Sequence, residues 1–341
     1  MPSRPRRPTG PAVVLLSAVL AVLLGVTVLS GVPAGATSGA TSGARSGATS
    51  GARSEEPGRG ERLRGSRFSV VDHNVQMRPA ALAEALERAV RTKAPAVLLQ
   101  EVCWWQVRDI REAHPDWTVA YKRGVDAAPC RRPFELGGLA DRDREDSGVV
   151  AIWTGGASGA VSTYTYRAQS RRKVRRAGER HLNDGVACVR WRATGTVRHA
   201  CSTHLVNASK FRSRRPTQVR QARELRRLTG PWVRSGDLVV LGGDFNAAPQ
   251  SRTMDFLYDV DGRGSFHEAT GCPRAVEVCR RSLGASVDGA KTQIDYVFFS
   301  ANRTARRRHG ITVRHTLSDH HMLKAWAYVD LRTPPRRLAS P

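Results

Sequence analysis

The sequence predicts an α/β protein with a large content of mixed or antiparallel sheet. Three observations carry this. Short apolar runs rich in β-branched residues outnumber stretches with helical spacing. The few helical stretches lie between such runs. One pair of runs, GVACVRWRATGTVRHACSTH (185–204), faces itself across Thr194-Gly195 as an antiparallel hairpin. In chain order, RFSVVDHNV (67–75) reads as a strand. PAALAEALERAVRTK (79–93) reads as a helix, opened by Pro79 and with Leu82, Leu86 and Val90 on one face. APAVLLQEV (94–102) is a second buried strand, and 104–113 a short helix. Strands follow at 117–122, 148–153 and 161–166, then the hairpin, then a helix over 217–228 with Val219, Ala222 and Leu225 as its stripe. DLVVL (237–241), TQIDYVFFS (292–300), GITVRH (310–315) and LKAWAYVDL (323–331) complete the strands.

The chain has 341 residues, enough for one large domain or two small ones. Its start reads as an export signal: Arg4, Arg6 and Arg7, an apolar run over 12–29, then VPAGAT, with cleavage expected after Ala36. The alternative is a retained membrane anchor, because the run approaches spanning length. Repeated TSGA and RSGA tetrapeptides over 37–65 form a flexible spacer. The folded domain is expected over 66–331, with a Pro-rich disordered tail over 332–341. A secreted, extracellular protein follows, monomeric and with no obligate protein partner evident. Six cysteines in an exported chain imply disulfides. The hairpin register opposes Cys188 and Cys201 in the closely spaced class of pairs. Cys272 and Cys279 flank a short loop and are expected to pair, leaving Cys103 for Cys130. The net charge of +25 favours polyanions such as nucleic acid, anionic membrane or polyphosphate, set against a general compositional bias toward Arg.

The chemistry-bearing residues sit at strand ends. SVVDHN delivers Asn74, VLLQE delivers Glu101, and LVVLGGDFN delivers Asp244 and Asn246. ACSTH ends in His204, IDYVFF begins with Asp295, and TLSDHH brings Asp319 and His320. Buried strands hold their ends rigidly, so such a set can define a reaction site. Its carboxylate and amide oxygens suit a hard cation, Mg²⁺ or Mn²⁺ or, among the same class, Ca²⁺; zinc would call for Cys and His. Asp244 and Asn246, two apart, project to one side of an extended segment, and Gly242 and Gly243 let the backbone come close to a ligand or turn. Asp319 and His320 are adjacent and serve one site only if they lie in a loop. His320 is the group suited to moving protons near neutral pH.

In the order NVQ, LLQEV, STHL, GGDFNAAP, IDYVFF and SDHH, these pieces resemble the endonuclease/exonuclease/phosphatase superfamily, the deoxyribonuclease I-like fold. The resemblance spans about Phe68 to Leu331. It implies a four-layer α/β/β/α sandwich with one divalent-cation site. It implies that Asn74 and Glu101 lie at the cation, Glu101 as a direct ligand, and Asp319 at or near it. Asp244 and Asn246 match a pair that orients water and contacts phosphate. His320 matches the catalytic imidazole, Asp295 the carboxylate that orients it, and His204 a second phosphate-facing His. The implied reaction is in-line attack of water on phosphorus. Two features depart from the pattern. Met322 and Leu323 follow SDHH where the family often has a proline, and no carboxylate partner for His204 is evident, Asp146 being one candidate beside a plain solvated loop. His321 reads as a bystander.

The fold hosts nucleases, sphingomyelinase-like phospholipases and inositol phosphatases, so substrate is a separate question. RAQSRRKVRRAGERH (167–181) holds Arg171, Arg172, Lys173, Arg175 and Arg176 as candidate substrate-binding residues. With SKFRSRRP (209–216) it flanks His204 and suits a phosphate backbone, unless both are ordinary solvated loops. A nuclease is the leading reading. The alternative, a sphingomyelinase or phospholipase C-like hydrolase on anionic membrane lipid, rests on Trp104 and Trp105. A binding module that had lost its chemistry is disfavoured, since each matched position is filled.

Overall fold

The computed structural model describes residues 65–130, 146–169, 184–208, 212–260, 262–270, 286–288 and 293–330. The export segment, the spacer, the tail, the Cys272–Cys279 pair and the basic run Arg171–Arg176 lie outside them. Among the described residues no helix is long and apolar enough to cross a membrane.

Two six-stranded sheets form the centre. In the first, β1 (Ser66–Asn74), β2 (Ala96–Cys103), β3 (Thr118–Asp126), β4 (Asp146–Trp153), β11 (Thr304–Arg314) and β12 (Met322–Val329) run in the order β11-β12-β1-β2-β4-β3. In the second, β5 (Ala160–Thr165), β6 (Gly185–Ala193), β7 (Thr196–His204), β8 (Leu238–Asp244), β9 (Phe266–Glu268) and β10 (Asp295–Ser300) run in the order β5-β6-β7-β8-β10-β9. Each sheet has one parallel pair, β1–β2 and β7–β8, and all its other pairs are antiparallel. A parallel pair needs a crossover, and a helix supplies it each time: α1 (Pro79–Thr92) between β1 and β2, and α3 (Arg215–Arg234) between β7 and β8. α1 and α2 (Trp104–Ala113) pack on the outer face of the first sheet, and α3 on the outer face of the second. The result is the expected four-layer α/β/β/α sandwich.

Strand parity builds these layers. Phe68 and Val70 of β1 face the second sheet, whereas Val71 faces α1. In β2, Ala96 and Leu98 face inward, Val97 and Leu99 outward. In β8 the inward pair is Leu238 and Val240, and in β10 it is Val297 and Phe299. At one end of this inner layer, Trp191 stacks between Phe68 and Trp153, with centroids 6.1 and 5.4 Å apart.

Three details refine the expectations. The buried face of α1 is Ala81, Leu82, Ala85 and Ala89; Val90 is 56% exposed and Leu86 only partly buried. Small residues on that face let the helix lie close to the sheet, which the leucine spacing alone did not reveal. The 193–196 hairpin has the expected register, with Cys188 opposite Cys201 and bonded to it, and Thr194 and Gly195 both at positive φ as a type I′ turn requires. Cys103 and Cys130 also form a disulfide, as expected. The short strand β9 and the start of β11 at Thr304 were not anticipated.

β9 carries Glu268 into the interior, where it accepts hydrogen bonds from Tyr258 and, at 2.7 Å, from Gln293. Burial pushes its carboxyl up to about 7, against the opposing pull of those bonds. A carboxyl whose folded value is raised favours folding fully below its unfolded value, near 4.5, and loses that contribution as pH rises through about 7. Glu268→Gln, which keeps the shape of the neutral acid, should therefore flatten the fall in unfolding free energy between mildly acidic and mildly alkaline pH. Urea denaturation at a series of pH values measures this.

Candidate active site

The parallel pairs bring the ends of β1, β2, β7 and β8 to one edge of the sandwich. Asp295, at the start of β10, is paired with Asp244, at the end of β8. Asn74, His204, Asp244 and Asp295 continue the inward parity of their strands, where the inner layer turns from apolar to polar. Glu101 alone has the wrong parity, because Gln100 before it already faces inward. A bulge in β2 corrects this. The register with β4 shifts between Leu99 and Val102, Glu101 adopts φ 54°, and Val102 returns to the helix-facing cluster. The extra residue turns the Glu101 carboxylate into the site.

The side chains meet in a cleft of about 640 Å³ lined by Glu101, His204, Asp244, Asn246, Asp319 and His320, among others. Asn74 Nδ2 stands 3.2 Å from Glu101 Oε1 and 3.4 Å from both Asp244 Oδ2 and His320 Nε2. Its Oδ1 accepts the Gln76 N–H at 3.1 Å. Asn74 thus presents its amide nitrogen to the centre as a donor, and its oxygen, the atom a cation would take, faces away. His204 Nε2 lies 3.4 Å from Asp244 Oδ2. Asp244 Oδ1 accepts the Asn246 N–H at 2.8 Å, and Asn246 Nδ2 donates to Leu205 O at 3.1 Å. His320 Nδ1 lies 3.0 Å from both oxygens of Asp295, which fixes the ring and turns Nε2 toward Asp244 at 3.8 Å and Asp319 Oδ1 at 3.9 Å. All eight residues expected at the catalytic and cation centre therefore converge. The Asp146 candidate does not join them. It binds Tyr121 OH at 2.8 Å and Arg123 Nε at 3.3 Å, and the carboxylate facing His204 is Asp244. Trp104 is packed on Tyr121, with ring centroids 5.3 Å apart.

Residues passed over in the sequence hold this arrangement. Ser286 donates to Asp295 Oδ2 at 2.6 Å and accepts the Ile294 and Asp295 N–H groups. Ser318 donates to Asn74 O at 2.8 Å and accepts the His320 N–H at 3.2 Å. Gln218 of α3 donates to Val206, Phe245 and Asn246 carbonyls, fixing the loops after β7 and β8 together. Lys122 and Arg214 add cations to the cleft lining. Ser318 had a signal as the first letter of SDHH, and Arg214 as part of the basic run 209–216; the others had none.

The glycines of LGGDFN make room within the fold itself. A Cβ on Gly242 would stand 2.7 Å from Asp72 Oδ1 of the facing sheet, and one on Gly243 only 1.9 Å from Thr203 O, at φ 150°. They admit the neighbouring strand and sheet.

Burial opposes the charge on His320, but Asp295, Asp244 and Asp319 outweigh it and lift the imidazole to about 10. Burial raises the Asp244 carboxyl to about 6, offset in part by His204 and His320. The donor set tests the implied cation. Glu101 and Asp319 face the cleft, and Asp319 Oδ1 is buried with no hydrogen-bond partner. Such oxygens fit a hard dication.

The sequence profile of the Endonuclease/Exonuclease/phosphatase family matches residues 73–320. The chain belongs to this family. Its members hydrolyse phosphate esters, and the chain falls in that class of hydrolase. No curated protein sequence matches it. Among solved structures, the human Nocturnin catalytic domain with bound sulfate is similar at TM-score 0.52 and 13% identity, covering 77% of this chain and 95% of that one. Truncated Caenorhabditis elegans TDP2 has TM-score 0.51 and 14% identity, over 77% and 98%. A Bacteroides thetaiotaomicron protein of the same family has TM-score 0.51 and 14% identity, over 79% and 100%. At these identities the likeness speaks for the fold.

In the metal-free protein, His320 should titrate far above an ordinary histidine, and Asp295→Asn should lower it by at least about one unit. Imidazole NMR shifts followed against pH read both.

Proposed function

We propose that the protein is a secreted, divalent-cation-dependent phosphodiesterase that cleaves polynucleotides by in-line attack of water. The observation that carries this is the convergence of the Asp295–His320 couple, Asp244 and Glu101 on one small volume within a family of phosphoester hydrolases. Glu101 and Asp319 would hold Mg²⁺ or a similar hard ion, which when bound supplies a positive charge beside the phosphate oxygens. Asp244, its Oδ1 fixed by Asn246 N–H, orients the attacking water and takes its proton through Oδ2. His320, charged and held by Asp295, offers Nε2–H to a phosphate oxygen, where negative charge grows. His204 is aimed at the same region from the second sheet. Asn74 donates across the centre and keeps Glu101 and Asp244 apart as separate acceptors.

A polynucleotide substrate is favoured by charge. The net +25 includes two basic runs that flank His204 in the sequence, and Lys122 and Arg214 line the cleft. Trp104, packed against Tyr121, is engaged in the fold, which takes one of the two aromatic anchors from a membrane reading. The two disulfides support an oxidising, extracellular destination.

The direct experiment offers the purified protein DNA, RNA and sphingomyelin side by side, with Mg²⁺ and with chelator. Cleavage of a nucleic acid that chelator abolishes is expected; activity on sphingomyelin alone would overturn the reading. Glu101→Gln should remove nearly all turnover, and His320→Ala should lower kcat by roughly 10²–10⁴-fold. Asp295→Asn should cost less, and the double variant should lose little more than His320→Ala alone, since the pair acts as one unit.

Replacing Arg171, Arg172, Lys173, Arg175 and Arg176 with Ser should weaken DNA binding and flatten its salt dependence. The slope of log K against log[salt] should change by up to about one unit for each backbone phosphate that is no longer neutralised. Hydrolysis of bis-p-nitrophenyl phosphate should barely change.

A further inference from the structure

The pairing that positions His320 also builds a second cluster. Val287 bridges to His320, His321 N–H donates to Ser286 O at 2.8 Å, and Asp288 N–H donates to Asp319 O at 2.7 Å. Adjacent residues in such a pairing face opposite ways. His320 turns into the catalytic centre, and His321 turns out toward the rim. There His321 Nε2 lies 3.0 Å from Asp288 Oδ1, and His315 Nδ1 lies 3.3 Å from the same oxygen. One ligand-type atom from each of the three lies within 4.8 Å of the others. The His321 side chain is 8% exposed, and its Nδ1 is buried without a partner, so Nε2, directed at Asp288, is the ring nitrogen presented to the rim.

We infer that Asp288, His315 and His321 form a second metal site, separate in chemistry from the catalytic one, that takes a borderline dication of the zinc type. Ligands at about 2.0–2.1 Å from a tetrahedral ion stand roughly 3.3 Å apart. The two separations involving Asp288, 3.0 and 3.3 Å, are already close to that spacing. Two imidazoles and one carboxylate select zinc over Mg²⁺, whereas the Glu101 and Asp319 oxygens across the pairing select the reverse. His315 and Asp288 are 78% and 57% exposed, which leaves a coordination position open to water. An ion here would clamp 286–288 against 315–321. It would thereby steady Ser286, which holds Asp295, and through Asp295 the His320 ring.

The test uses the chain without any affinity tag, with Zn²⁺ alone as the probe. Zinc is titrated in competition with a chromophoric chelator near neutral pH, in excess Mg²⁺. We expect the wild type to withdraw zinc from the chelator, and His315→Ala and Asp288→Asn each to lower the affinity by at least roughly 10- to 100-fold. His315 is exposed, so its replacement leaves the core intact. Zinc should raise the melting temperature of the wild type and not that of His315→Ala, while Glu101→Gln should bind zinc as the wild type does. Failure to compete with the chelator, or unchanged affinity in both rim variants, would mean that the cluster is only a set of hydrogen bonds. Loss of zinc in Glu101→Gln instead would place the ion in the catalytic centre. Any of these results overturns the inference, and the hydrolytic reading stands or falls separately on the cleavage assay with Mg²⁺ and chelator.

Discussion

The site depends on a polar contact between the sheets, one residue or two below each functional side chain. Gln100 of β2 donates at 3.0 Å to Asp72 Oδ1 of β1 and at 3.0 Å to Ser202 Oγ of β7, and Ser202 Oγ donates to Leu99 O at 2.8 Å. Gly242 of β8 lies against the same Asp72. Four strands from two sheets are thereby locked at one level. Counting onward along each gives Asn74, Glu101, His204 and Asp244. Hydrophobic burial drives the sheets together but is non-directional and leaves their relative shift free to repack. Hydrogen bonds buried at this depth fix the register, because any slip leaves them unmade at a cost of about 1–3 kcal/mol each. Burial, with Asp295 and Asp244 nearby, raises the Asp72 carboxyl well above its usual range, which favours the neutral acid in the strut over a further buried charge.

Much of this was legible in the sequence. Strand-final Asn74, Glu101, His204 and Asp244 stood out because an apolar run that ends in a polar, chemistry-bearing residue needs a reason. The hairpin register gave Cys188–Cys201 from turn geometry alone. The struts were not legible. Gln100 and Ser202 sat inside LLQEV and STHL, but a buried Gln in a strand looks like any other polar interruption until its partner on another sheet is known. Ser286 had no signal at all, since it reaches Asp295 from a loop. The same limit explains why the stripe expected on α1 was displaced at Val90: spacing marks a stripe, but how closely a helix approaches a sheet depends on the small residues beside it.

The bulge at Glu101 shows where local rules yield to the site. Of the six non-glycine residues at positive φ among the described residues, Lys93 follows a helix and Thr194 makes a hairpin turn; the other four are Gln76, Met77, Glu101 and Asn246, all at the cleft end. Each such residue is strained relative to a regular strand, and it persists only where its surroundings over-determine it. The surroundings here are visible. Met77 N–H donates to Glu101 O at 2.8 Å, Gln76 N–H to Asn74 Oδ1, and Gln218 holds Asn246 O at 2.8 Å. Strain and support lie in the same few residues.

The pairing of 286–288 with 319–321 resolves a conflict written into the chain. Asp319 and His320 are neighbours in sequence and cannot both point one way along a regular strand. A single bridge at His320, between a bend at 317–319 and the start of β12, takes the place of a continuous strand. Ser318 caps the segment from one side and Ser286 from the other. The His320 imidazole is therefore positioned twice: through its ring by Asp295, which Ser286 fixes in turn, and through its backbone N–H by Ser318. That arrangement gives His320 a fixed ring without a helix or long strand beneath it. It also explains why SDHH carries two imidazoles with different surroundings: one closes the buried centre, and its neighbour, by alternation alone, is carried to the rim beside Asp288.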